Sequence, residues 1–135
     1  MSRIMLTLIF VLLSENVAAE WVRIAENNRS VAYADTATRR SGTTVIGWVL
    51  FDYKSIQESP SSGKRYLSEK AQREIDCQAE KDRVLFFTWH ADHLGDGVVV
   101  YTGRKPTGWE PTSSPGSYGN EFWKLFCSSS RFACL

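Results

Sequence analysis

From Trp21 to Thr102 apolar and polar residues alternate in short runs broken by turn-forming residues, the pattern of half-buried strands. Trp21–Ala25 and Ser30–Ala34 are apolar-rich and flank the polar Glu26-Asn27-Asn28-Arg29, so they predict a hairpin. Asp35 can then cap one helical turn through Thr36-Ala37-Thr38-Arg39-Arg40, ended by Ser41-Gly42. Thr43–Tyr53 is β-branched and aromatic, with Val45, Val49, Phe51 and Tyr53 on one side and Ile46, Trp48 and Leu50 on the other. Two apolar sides predict a central strand covered on both for much of its length. Lys54–Arg65, holding Pro60, Ser61, Ser62 and Gly63, reads as a polar connection.

Tyr66–Ala79 fits two periods. Leu67, Ala71, Ile75 and Ala79 recur every four residues, as on a helix face, while Leu67, Ala71, Ile75 and Cys77 share the parity of a strand. The Glu, Lys, Ala, Gln and Arg content tilts local propensity toward helix. Arg83–Ala91 and Val98–Thr102 form a second hairpin around a turn containing Gly95 and Gly97. Gly103–Gly116 carries three prolines and three glycines and predicts irregular chain around Trp109. Ser117 can cap a helix in which Tyr118, Phe122, Leu125 and Phe126 form an apolar stripe. Strands closed by one helix make an α+β domain with a mainly antiparallel sheet.

The N-terminal residues have another purpose. Arg3, the apolar stretch Ile4–Leu13 and the small residues Val17-Ala18-Ala19 match the three parts of a secretory signal peptide, cleaved between Ala19 and Glu20. Ten residues are too few to cross a bilayer, which takes about 20 in a helix. With no cysteine near Glu20, a lipid anchor is not expected at the mature N-terminus. Residues 20–135 suffice for one small domain. Taking away Arg3 and Glu15 changes 16 basic and 15 acidic residues to 15 and 14, so the mature chain keeps +1. That balance gives no long-range attraction to nucleic acid or to an anionic membrane.

Export to an oxidising space makes Cys77, Cys127 and Cys134 candidates for one disulfide with one thiol left over. Connectivity does not follow from sequence, although Cys134 stands at the end of the chain, where fraying is usual. No C-x-x-C pair supports a redox or four-cysteine zinc site. Other constellations are equally thin. His90, Asp92, His93 and Asp96 cluster in the second hairpin without a distant third ligand, and read as solvated residues of its tip rather than a metal site. There is no Gly-x-Ser-x-Gly elbow, and Gly95-Asp96-Gly97 lacks the third glycine and helix of a nucleotide loop. Asn28-Arg29-Ser30 fits a glycosylation sequon, which matters only in a eukaryotic secretory pathway. Arg39-Arg40 and Arg104-Lys105 are too short for a binding tract and read as solvated turn residues. Trp109 caps the core or, as a loop aromatic, anchors a contact.

An ordered set of residues nevertheless resembles the surface-adhesin protein E family of small exported bacterial domains. It comprises Trp21, Tyr33, Asp35, Arg39-Arg40, Trp48-Val49, Asp52-Tyr53, Ser68, Lys70, Glu74-Ile75-Asp76-Cys77, Gly97-Val98-Val99, Trp109, Pro115-Gly116-Ser117, Trp123 and Cys127. The resemblance implies a single domain of about six antiparallel strands with the C-terminal helix packed on the sheet. It also implies a Cys77–Cys127 disulfide and assigns Tyr66–Cys77 to a strand against its helical period. Residues 1–19 are then the signal peptide, 20–128 the domain and 129–135 a tail holding the extra Cys134.

The expected function is a non-enzymatic, cofactor-free binding module, periplasmic or extracellular, engaging a protein outside the cell or in the envelope. Trp109, Arg39 and Arg40 are its candidate ligand contacts. A periplasmic structural or stress-related protein is the alternative, and a metal-dependent enzyme using His90 and His93 the third reading. Fold alone does not decide among them.

Overall fold

The computed structural model describes residues 20–112 and 114–127, so the expected signal peptide, its expected boundary at Ala19, the tail and Cys134 lie outside the described residues. Strands β1 (Trp21–Glu26), β2 (Ser30–Ser41), β3 (Thr44–Glu58), β4 (Arg65–Asp76), β5 (Lys81–His90) and β6 (Val99–Gly103) follow one another across one antiparallel sheet in chain order. A two-residue β7 (Glu110–Pro111) pairs with the start of β5, and helix α1 (Tyr118–Cys127) closes the chain. Each strand pairs with its sequence neighbour, so short turns suffice, as in a meander.

Tyr66–Asp76 is strand throughout, as the family resemblance implies, and its helical period is overridden by pairing on both sides. The helical turn expected after Asp35 is absent. Asp35 Oδ1 does accept the Ala37 N–H at 2.9 Å, as a cap would, but the result is a bulge. Beyond it Thr38–Ser41 returns to the ladder against Thr44–Gly47. The polar connection is shorter than expected, because β3 runs on to Glu58. Its turn is completed by Gly63 at φ +68°, a left-handed conformation glycine adopts at little cost.

Helix α1 covers one side of the sheet, here called the helix face. Its buried Phe122 and Phe126 pack on Ala32, Ala34, Val45, Val49, Ala71 and Ile75. Small residues make room for the rings: a Cβ on Gly47 would come within 3.1 Å of Phe126 Cζ. The expected stripe is displaced at one position, since Leu125 is exposed and Trp123 packs on the core instead. The disulfide joins Cys77, just past β4, to Cys127 in the last turn of α1, with Cα atoms 5.5 Å apart. Arg73 of β4 adds an ion pair to the buried Asp82 of β5 at 2.5 Å, and its guanidinium lies 5.6 Å from the centre of the Phe122 ring.

Across the sheet lies the second side, the open face, where among the described residues no α-helix packs. Among the described residues the 91–98 turn, with a 3-10 turn at His93–Gly95, folds over part of it. Ser68 donates to the Asp92 carbonyl at 2.6 Å and accepts the Gly95 N–H at 2.8 Å, while Asp52 accepts from Leu94 N–H at 2.9 Å. Leu50 is wholly buried on this side. Along the outer edge of the sheet, Lys64 Nζ donates to the Val100 carbonyl of β6 at 3.0 Å and lies 5.8 Å from the Tyr101 ring centre.

Candidate functional site

Strand pairing fixes which residues share the open face. Arg39, Ile46, Glu74 and Arg83 are cross-strand partners in one row from β2 to β5, so their side chains leave the sheet on the same side. Arg83 pairs with Glu74 at 2.7 Å and its guanidinium stacks 4.5 Å from the centre of the Trp109 ring. Trp109 is 39% exposed and lies outside the buried cluster, so it does not cap the core. Arg39 and Trp109 thus stand at the two ends of one row. Arg40, paired with Val45, belongs to the other side, where its Nε donates to the Gly42 carbonyl at 3.3 Å.

The next row holds Trp48, Gln72 and Phe86. Trp48 and Phe86 meet edge to face with ring centres 6.0 Å apart, and the Arg104 guanidinium lies 5.8 Å from the Phe86 ring. Trp48 separates two shallow hollows. One, of about 270 Å³, is lined by Ala37, Thr38, Arg39, Ile46, Trp48 and Gln72. The other, of about 290 Å³, is lined by Trp21, Asp35, Trp48 and Lys70. Four cations, Arg39, Lys70, Arg83 and Arg104, and two carboxylates, Asp35 and Glu74, surround these aromatic rings. Tryptophan and arginine side by side are the residues that most often dominate protein contacts.

Trp48 is thus central to the open face, whereas its place on an apolar strand predicts a core residue. The signal lies in the shared parity of Ile46, Trp48 and Leu50; what parity cannot tell is that Leu50 is wholly buried while Trp48 stays partly exposed. The two histidines also separate. His90 is buried rather than solvated: Thr88 Oγ1 and His90 Nε2 lie 2.8 Å apart, and Nδ1 has no partner. Burial, with the Lys70 charge, pushes the imidazole below its ordinary pKa. His93 is exposed and bonds Asp52 at 3.0 Å. Among the described residues no group of three His, Cys, Asp or Glu side chains is placed to hold a metal ion.

The sequence pattern of the family described as surface-adhesin protein E matches residues 21–128. The chain belongs to the surface-adhesin protein E family. Solved structures agree on the fold. Crystal form II of Haemophilus influenzae protein E aligns over 84% of this chain and 91% of its own with a TM-score of 0.63 at 12% identity. Protein E from non-typeable Haemophilus influenzae aligns over 84% and 79% with a TM-score of 0.60, again at 12% identity. No curated protein matches the chain. Within this family fold, no helix of the described residues is long and apolar enough to cross a membrane.

Proposed function

We propose that this chain is an exported, adhesin-like binding module of the bacterial envelope that holds a protein partner on the open face of its sheet. Membership of the surface-adhesin protein E family supports the adhesin-like role. The observation that carries the surface assignment is Trp48, a large aromatic standing between two hollows with Arg39 in one and Lys70 in the other. An excess of cations around the rings favours a partner with acidic groups at the rim of an apolar knob. Arg39 and Trp109 are contacts in this reading, while Arg40 faces away from it.

The role is tested on intact cells expressing the chain. Protease added outside should remove it, and cells should bind immobilised external proteins less after Trp48→Ala or Arg39→Glu. A chain protected until the outer envelope is permeabilised is not a surface adhesin, and would instead serve an envelope partner. Unchanged binding by both variants would reject the open face as the contact surface.

A further inference from the structure

The helix covers only part of its own side of the sheet. Beyond its first turn an open cleft of about 390 Å³ is lined by Asn27, Arg29, Ser30, Phe51, Tyr53, Glu69, Arg73 and Tyr118, a volume within the range of small-molecule sites. Its aromatic walls are fixed. Phe51 stacks on Tyr118 with ring centres 5.7 Å apart, and the Tyr118 hydroxyl donates to the Ser30 carbonyl at 2.8 Å. Tyr53 meets Tyr66 at 5.7 Å, and Tyr66 stacks on Trp89 at 4.2 Å.

The charges in this cleft are only partly matched. Glu69 is partly buried and accepts a hydrogen bond from the Trp89 indole N–H at 2.9 Å, but has no ion pair among the described residues. Arg73 is committed to Asp82, although its buried Nε–H has no partner. The Arg29 guanidinium, at the exposed rim, donates to the neutral Gln57 amide oxygen at 3.2 Å and makes no ion pair among the described residues. A carboxylate low in the cleft and a guanidinium at its mouth, neither in an ion pair among the described residues, are separated by apolar ring surface.

We propose that this cleft binds a small zwitterion, an amino-carboxylate whose ammonium pairs with Glu69, whose carboxylate pairs with Arg29 and whose aliphatic middle lies along Phe51, Tyr53 and Tyr118. The proposal is independent of the adhesin reading, because the cleft is on the opposite side of the sheet from Trp48. Desolvation raises the Glu69 pKa, only partly offset by the Trp89 hydrogen bond and the Arg73 charge. A bound ammonium would supply the missing stabilisation of the ionised form.

The test uses three probes of equal stem length, 5-aminopentanoate, pentylamine and pentanoate, read by the Trp89 indole N–H resonance. The zwitterion should bind most tightly. Glu69→Gln should weaken 5-aminopentanoate and pentylamine by about tenfold or more and spare pentanoate; Arg29→Gln should weaken 5-aminopentanoate and pentanoate and spare pentylamine. In the unmodified protein, pentylamine stays protonated throughout and should lose affinity as Glu69 takes up its proton on acidification. Tyr53, Tyr66, Arg73, Arg29 and Tyr118 are the other titratable groups around that carboxyl. Absence of binding, equal affinity for all three probes, the same loss from both variants, or a flat pentylamine profile would overturn the proposal.

Discussion

The Trp123 indole N–H donates to the carbonyl of Cys77 at 3.2 Å, one helical turn before the disulfide that joins Cys77 to Cys127. Sheet and helix are therefore tied at the end of β4 by a covalent bond and a hydrogen bond together. The cross-link spans 50 residues, and on the loop-closure account it contributes about 4 kcal/mol. Cys77→Ser or Cys127→Ser should lower the unfolding free energy in urea by about 2–5 kcal/mol. Cys134→Ser should leave it unchanged, and equal losses from Cys127→Ser and Cys134→Ser would refute the pairing.

Asp82 should be nearly as important as the cross-link. Its side chain is only 4% exposed and pairs with Arg73, which in turn lies against Phe122. Asp82→Asn leaves a largely buried guanidinium without this counter-charge, and should cost about 2–4 kcal/mol in chemical denaturation.

Gly47 sets how closely the helix approaches. A methyl there would lie 3.1–3.2 Å from Phe126 ring atoms and 3.3 Å from Thr38 Cγ2. Gly47→Ala should destabilise by about 1–3 kcal/mol through overpacking. Gly42→Ala meets no atom within 4 Å but must adopt φ +60°, so its penalty should come from the backbone instead. Combining Gly47→Ala with Phe126→Leu should recover part of the first loss and none of the second.

Two groups on opposite sides of the sheet should bend the pH profile in opposite directions. Burial first, then Lys70, lowers the His90 pKa from 6.5, opposed by Asp96 and the Gly97 backbone. The native state then holds fewer protons than the unfolded chain, so stability is lost as pH falls below about 6.5. Glu69 is raised from 4.5 by burial, so its stabilising contribution is present below 4.5 and lost as pH rises through the native value. Thermal unfolding across pH 4–8, as a working range of about four units, should show His90→Gln flattening the acid slope and Glu69→Gln gaining stability at neutral pH.

Much of this architecture is legible in the residues because alternation is a strong signal where one side of a strand is buried. Val45, Val49 and Phe51 declare the helix face, and Phe122 and Phe126 declare the element that covers it. Local rules fail where two of them use the same residues. Ala71 and Ile75 satisfy a four-residue period and a two-residue period at once, and only pairing to β3 and β5 decides between them. Asp35 makes the local hydrogen bond expected of a cap, but the ladder beyond it determines the outcome. Glu69 shares parity with Ala71 and Ile75, so once β4 is a strand its carboxyl must point to the helix face. Its polarity hides that position, and the reach of α1, which leaves a cleft around it, has no local signature.

The contact between Lys64 and the Val100 carbonyl has a consequence for neighbours of the same kind. Val98, just before β6, and Val99 and Tyr101 within it carry exposed apolar side chains, the sort of border to which another strand can add. A charged ammonium occupies one backbone acceptor of that strand, the kind of device that discourages a newcomer from zipping on. A charge so placed works against ribbon-like polymerisation of crowded copies.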